Sequence, residues 1–95
     1  MITDQMLEHV VEKLSDGAFC NGRWSSPYAE IQDDFQSLFV SVCVDEKIVD
    51  TAIKNDIANL IVSTVPPGRD TTLGNWMVVF KYNGEVIDSW ALYDL

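Results

Sequence analysis

Few side chains in this sequence are of the types that carry enzyme chemistry, and their spacing matches no catalytic arrangement. His9 is the only histidine, so the sequence offers no histidine pair for a metal ion, and acidic neighbours on a predicted helix favour an exposed His9. Cys20 and Cys43 are the only cysteines, and Cys20 has no histidine nearby in sequence to generate a thiolate. We predict no catalytic residue, and we expect both thiols to be buried and reduced.

Two adjacent pairs of acidic residues, Asp33-Asp34 and Asp45-Glu46, are also candidates for acid–base chemistry. The first pair lies on the solvent-exposed face of a predicted helix, which accounts for its charge without a catalytic role. A helix start explains the second, since carboxylates stabilise the positive end of the helix dipole. The phosphate-binding motifs GxGxxG and GxxxxGK do not occur, and the spacing around Asp50 does not match a calcium loop. We therefore predict no metal site and no cofactor.

The net charge is the strongest functional signal in the sequence. Fifteen acidic residues against six basic ones give a formal net charge of −9. Such a chain repels nucleic-acid phosphates and anionic membrane surfaces, and it attracts cationic partners. The composition therefore argues against nucleic-acid and membrane partners and favours a basic protein partner. Solubility alone is the alternative explanation of the charge.

The length and the hydropathy pattern predict one soluble domain that spans residues 1–95. Hydrophobic residues make up 47% of the chain, which is enough for a core without metal or disulfide staples. No window approaches the roughly 18 apolar residues of a membrane-spanning helix, and the first ten residues lack the pattern of a signal peptide. We expect a cytoplasmic protein.

Three segments have the periodicity of amphipathic helices, namely residues 3–15, 27–43 and 46–63. Thr3 is placed to cap the first helix and Gly17 to end it. Residues 40–44 are rich in β-branched side chains, so a short strand there is an open alternative. Asn21-Gly22 is a candidate type I′ turn in a very short ribbon. The acidic residues fall opposite the apolar arcs: Asp4, Glu8, Glu12 and Asp16 on the first helix, and Glu30, Asp33 and Asp34 on the second.

The clearest local signal is Asn83-Gly84 between two apolar runs, which predicts a β-hairpin of residues 75–82 and 85–93. The predicted fold class is α+β, with three helices packed on a small antiparallel sheet that includes this C-terminal hairpin. A two-residue turn pairs Tyr82 with Glu85 and Phe80 with Ile87, which assigns side chains to faces. The face expected to pack on the helices carries Trp76, Val78, Phe80, Tyr82, Ile87, Ala91 and Tyr93. The other face carries Met77, Val79, Lys81, Val86, Asp88, Trp90 and Leu92.

The second hairpin face is apolar enough to need a cover. A loop of the same chain, such as residues 19–24, is one candidate, and a homodimer or a foreign partner is the other. A two-stranded hairpin is marginal in water, so a third strand is expected from within the chain or from a partner. In the predicted register Trp90 lies opposite Met77 on this second face. Trp90→Ala is then expected to impair binding more than folding.

These features predict a small, non-catalytic protein-binding protein, in the manner of the immunity protein of a bacterial toxin or a phage-encoded inhibitor. The expected partner is a basic protein such as a toxin nuclease, because acidic residues steer association and aromatic anchors slow dissociation. A homo-oligomeric structural or regulatory subunit with the hairpin as its interface is the first alternative, and a pocket near Cys20 and Trp24 is the second. The candidate steering residues are either Glu8, Glu12 and Asp16 or Glu30, Asp33 and Asp34, and the candidate anchors are Met77, Trp90 and Tyr93.

Overall fold

A four-stranded mixed sheet with helices on one face is the framework of the protein. The computed structural model describes residues 2–35, 37–64 and 75–91. The predicted α+β class and the C-terminal hairpin are confirmed. The elements are α1 Asp4–Ser15, α2 Gly17–Cys20, β1 Ser25–Gln32, β2 Ser37–Cys43, α3 Thr51–Thr64, β3 Asn75–Tyr82 and β4 Glu85–Ala91.

The strands lie in the order β1-β2-β3-β4, so neighbours in sequence are neighbours in the sheet. The pairs β1–β2 and β3–β4 are antiparallel, whereas β2 and β3 are parallel. Parallel neighbours need a long crossover, and α3 lies in the connection between them. The hairpin therefore has its further strands within the chain, and the sheet is mixed rather than purely antiparallel.

Helix α1 confirms the first predicted helix. The Thr3 hydroxyl accepts a hydrogen bond from the Met6 amide at 3.2 Å, which caps the first turn. Val10 and Leu14 are buried one turn apart. The helix ends at Ser15, the predicted last residue, and the extended backbone of Asp16 caps it in place of Gly17. The Asp16 carboxylate then accepts the Ala18 amide and so begins the short helix α2.

The prediction of a helix over residues 27–43 is wrong, because this segment forms the hairpin of β1 and β2. Leu38, Val40 and Val42 are all buried, and their spacing of two puts them on one face of a strand. The strand alternative for residues 40–44 is correct as far as Cys43, where β2 ends. The predicted ribbon around Asn21-Gly22 is also wrong. Both residues have positive φ, but the residues before them form α2.

Helix α3 begins at Thr51, five residues later than the predicted start at 46. The Asp50 carboxylate accepts the Ala52 amide at 2.9 Å, which marks the beginning of the helix. Residues 44–50 form an irregular connection, in which Val49 is buried and Ile48 is 83% exposed. The buried side of α3 consists of Ile57, Ala58, Leu60 and Ile61.

One hydrophobic core lies between the helices and one face of the sheet. The fully buried Phe80 belongs to it, and the indole of Trp24, the residue before β1, donates to the Leu14 carbonyl of α1 at 3.0 Å. The sheet contributes Leu38, Val40, Val42, Trp76, Val78 and Phe80, and the helices contribute Val10, Leu14, Ile57, Ala58, Leu60 and Ile61. All of the sheet residues share one face, so we refer to it as the helix face.

Candidate protein-binding surfaces

The opposite face of the sheet lacks a covering helix among the described residues, and we refer to it as the open face. Its side chains follow from the strand register, since paired residues point to the same side of a sheet. Buried residues on this side, such as Val79, are separate from the core cluster. The open face consists of Tyr28, Glu30 and Gln32 from β1, Phe39, Ser41 and Cys43 from β2, Met77, Val79 and Lys81 from β3, and Val86, Ser89 and Ala91 from β4.

The open face exposes large apolar side chains on three of its strands. Tyr28 is 52% exposed, Met77 39% and Val86 58%. Phe39 is half-buried between Glu30 on one side and Met77 on the other, because all three lie in one row across the sheet. Scattered single apolar residues are ordinary on a protein surface, whereas a contiguous patch marks an interaction site.

Glu30 is the charged centre of a hydrogen-bonded network on this face. The Tyr28 hydroxyl donates to one carboxylate oxygen at 2.7 Å, and the Gln32 amide donates to the other at 2.5 Å. The three residues alternate along β1, so they share a face and lie within reach of one another. The hydrogen bond from Tyr28, followed by that from Gln32, lowers the pKa of Glu30 from its ordinary value. The same hydrogen bond raises the pKa of Tyr28, since it favours the protonated phenol.

The turn between β1 and β2 places two further acidic residues beside the open face. Asp33, Asp34 and Phe35 all have positive φ, between 54° and 69°. Aspartate tolerates this conformation better than phenylalanine does. The Ser37 hydroxyl donates to Asp33 at 2.9 Å, and the Phe35 carbonyl accepts from the Ile2 amide at 2.8 Å. These bonds hold the turn while Asp34 and a half-exposed Phe35 face solvent.

The acidic stripe of α1 lies on the other side of the molecule. Glu8, Glu12 and Asp16 are exposed, as expected, but α1 packs on the helix side of the sheet. Asp16 is partly neutralised by Lys13 at 3.7 Å. The two alternative groups of steering residues therefore lie apart, since Glu30, Asp33 and Asp34 belong to the open face and its adjoining turn.

The predicted anchors do not share a surface either. Met77 lies on the open face, as expected, with Ala91 as its partner. A β-bulge shifts the β4 register after Lys81↔Val86, so Phe80 pairs with Asp88 instead of Ile87. Trp90 consequently pairs with Val78 on the helix face, and its assignment to the second hairpin face was wrong. Tyr93 lies outside the described residues.

Within residues 2–35, 37–64 and 75–91, three ion pairs are formed by three of the six basic side chains of the sequence. They join Lys13 to Asp16, Arg23 to Asp56 and Lys54 to Asp88. Arg23 also donates to the carbonyls of Phe19 and Cys20, and its guanidinium lies 4.8 Å from the centre of the Trp24 ring. Each of these cations is therefore paired with an aspartate within the described part of the chain.

A cleft of about 300 Å³ opens where β2 ends and α3 begins. Its lining combines apolar side chains, including Val49 and Ile53, with the carboxylates of Asp45, Glu46 and Asp50. The sequence analysis missed it, because its walls come from residues 22–23 and 44–53, which only the fold brings together. The carboxylates disfavour an anionic ligand.

The residues that could bind a metal ion or act through a thiol are His9, Cys20, Cys43 and the carboxylates. No cluster of three or more His, Cys, Asp or Glu within the described residues could hold a metal ion. Cys20 and Cys43 are free and half-buried, and the Cys20 thiol donates to the Trp24 carbonyl. His9 is exposed. Among the helices of the described segments, none is long and apolar enough to cross a membrane. Comparison of the chain with protein-family models, curated proteins and solved structures finds no match.

Proposed function

We propose that this chain is a non-catalytic protein-binding protein that captures and blocks a basic partner, as an immunity protein blocks a toxin nuclease. The observation that carries the proposal is that ion pairs within the described part of the fold use half of the basic side chains of the sequence but only a few of the acidic ones. The net charge is −9, and three of the six basic side chains are held by aspartates within the fold. The remaining carboxylates outnumber the remaining basic side chains, so they attract a cationic protein from a distance and raise its association rate.

The open face is the contact surface that we favour over α1. It combines exposed apolar side chains, such as Met77, with the carboxylate of Glu30, and Asp33 and Asp34 lie at its end. An interface needs both components, since charges steer the encounter while buried apolar anchors set the residence time. The α1 stripe supplies charge alone. We take the compartment to be the cytoplasm, because Cys20 and Cys43 are unpaired.

A homo-oligomer is the second candidate, and the exposed apolar side chains of the open face favour it. Tyr28, Met77 and Val86 expose apolar surface on three strands, so two copies could pack face to face about a two-fold axis. The net charge opposes such packing at low salt. Sedimentation velocity over a concentration series separates the candidates, because a stable dimer supports this one and a monomer supports the first.

Retention of host proteins on the immobilised chain tests the main proposal. We compare the wild type with two charge-matched variants, Asp33→Asn/Asp34→Asn beside the open face and Glu8→Gln/Glu12→Gln on α1, each of which removes two negative charges. The expected result is a basic protein that the wild type retains at low salt, that high salt releases, and that the Asp33/Asp34 variant retains less well than the α1 variant. If no basic protein is retained in a salt-sensitive way, the proposal is wrong.

A further inference from the structure

Glu30 is arranged to receive an arginine side chain. We propose that the protein partner seats one arginine on the Glu30 carboxylate, with Phe39 beneath its guanidinium and Met77 beneath the apolar residue that follows. This inference rests on the proposed function, because it names the group by which a basic partner is held. It also commits the open face to a foreign protein rather than to a second copy of the chain.

The hydrogen bonds of Glu30 leave room for a two-pronged donor. A carboxylate has about four lone-pair positions, two on each oxygen. Tyr28 occupies a position on one oxygen and Gln32 occupies a position on the other. Among the described residues Tyr28 and Gln32 are the donors to Glu30, which leaves one position on each oxygen that a guanidinium can match with two parallel hydrogen bonds. Both internal bonds hold the carboxylate in place, so little side-chain freedom is lost when the arginine binds.

The neighbours of Glu30 supply a surface for the rest of the arginine. Phe39 is the direct cross-strand partner of Glu30 and is half-buried, so part of its side chain is exposed on the same face as the carboxylate. Guanidinium groups stack on aromatic rings, which an ammonium group does less well because it is compact and strongly hydrated. Met77 follows Phe39 in the same row and offers an adaptable apolar contact. The row therefore fits an arginine followed by an apolar residue.

The charged residues of the open face are distributed unevenly, with the acidic ones near Glu30 and a lysine at the other end. Lys81 is the cation of the face, and it lies four residues beyond Met77 along β3, about 13 Å away at strand spacing. Asp33 and Asp34 lie at the opposite end, where β1 turns into β2. A basic segment is therefore drawn toward the Glu30 end and repelled from the Lys81 end.

An NMR titration of the isotope-labelled full chain with a peptide blocked at both ends tests directly whether an arginine binds at Glu30. We refer to this proposed site as the seat. The probe is a hexapeptide with one arginine next to leucine, and two matched peptides carry lysine or the neutral isostere citrulline in its place. Amide shifts are expected at residues 28–32, 39 and 77. Relative to the arginine peptide, we expect the dissociation constant to be about threefold higher for the lysine peptide and about tenfold higher for the citrulline peptide. A charged hydrogen bond contributes far more to binding than a neutral one.

Two isosteric variants separate the seat from the general acidic field. Glu30→Gln and Glu12→Gln remove the same charge on opposite sides of the sheet, and their amide spectra report whether each remains folded. We expect Glu30→Gln to weaken binding of the arginine peptide about tenfold, and Glu12→Gln to change it less than about twofold. Three outcomes would overturn the proposal that an arginine binds at Glu30. They are equal effects of the two variants on peptide binding, amide shifts centred on the cleft at 44–53, and no amide shifts up to about 5 mM peptide.

The retained host protein distinguishes failure of the seat from failure of the proposed function. A basic protein that binds Glu30→Gln as tightly as it binds the wild type would overturn the seat and leave the proposed function intact. Absence of any retained basic protein would overturn the proposed function itself.

Discussion

Glu30 shows how the surroundings of one side chain determine its ionisation. The hydrogen bonds from Tyr28 and Gln32 favour the carboxylate and lower the pKa of Glu30. Because the folded-state pKa lies below the unfolded one, the stabilising contribution is present above the unfolded pKa and is lost as the pH falls through the folded pKa. The open face therefore keeps this negative charge throughout the neutral range.

A carboxylate NMR titration of the folded protein checks this ionisation. We expect the Glu30 midpoint to lie below the ordinary glutamate value of 4.5. In Tyr28→Phe the midpoint should rise, since the hydrogen bond that contributes most is removed while the ring is kept. An unchanged midpoint in the variant would show that Tyr28 does not hold the carboxylate.

Phe80 and Met77 are near neighbours on β3 with opposite roles. Phe80 is fully buried on the helix face, so Phe80→Ala should destabilise the protein by about 3–5 kcal/mol. Met77 is 39% exposed on the open face, so Met77→Ala should cost about 1 kcal/mol or less in stability while it weakens partner binding. Urea melts of both variants measure the difference, and equal losses would place both faces in the core.

At the level of elements, the β1–β2 hairpin is the segment that the sequence predicted wrongly, as a helix over residues 27–43. Ile31, Phe35 and Leu38 recur at helical spacing, yet Leu38 and Val40 alternate as in a strand, and short apolar runs satisfy both periods. Pairing with β3 selects the strand, which is a tertiary effect that local periodicity does not reveal. The Asn83-Gly84 turn, by contrast, was predictable, because positive φ at two successive residues restricts the sequence strongly.

The same turn supports a prediction about hairpin stability. Gly84 has a φ of +83°, and an added Cβ would meet no atom within 4 Å. The cost of Gly84→Ala is therefore backbone strain without a clash, and we expect a loss of about 1–2 kcal/mol in thermal or urea unfolding. Gly17→Ala is the matched control, since Gly17 lies in a helix with the same open surroundings. A control that loses as much stability would contradict the strain argument.

The ion pair between Lys54 and Asp88 joins α3 to β4. The hydrogen bond from Lys54, together with the Ser89 amide, lowers the pKa of Asp88 against the effect of burial. Its stabilisation is thus present above the unfolded aspartate pKa and disappears as the pH falls through the lower folded pKa. Because about a third of the Asp88 side chain is exposed, Asp88→Asn should cost less than about 1 kcal/mol at neutral pH. Unfolding measured at neutral and acidic pH checks this, and an equal loss at both would contradict it.

At the scale of the whole molecule, the sheet separates the two acidic groups that the sequence offered as alternatives, since α1 lies on the helix face and Glu30 on the open face. Composition gives the net charge directly, and local turn chemistry predicted the C-terminal hairpin. Neither predicted the bulge in β4, which moves Trp90 to the helix face, because a bulge depends on how one added residue fits between paired strands. The side on which each carboxylate lies likewise depends on the order of the strands.

Stopped-flow association of the chain with its retained basic partner, at ionic strengths from about 0.02 to 0.5 M, tests the central claim most directly. Exposed charges are screened over about 10 Å at 0.1 M salt, so steering by the acidic surface requires the association rate to fall steeply as salt rises. Dissociation should change little, because it depends on the apolar contacts around Met77. We predict a shallower salt dependence for Asp33→Asn/Asp34→Asn than for Glu8→Gln/Glu12→Gln. An association rate that stays constant across this range would contradict capture through the acidic field.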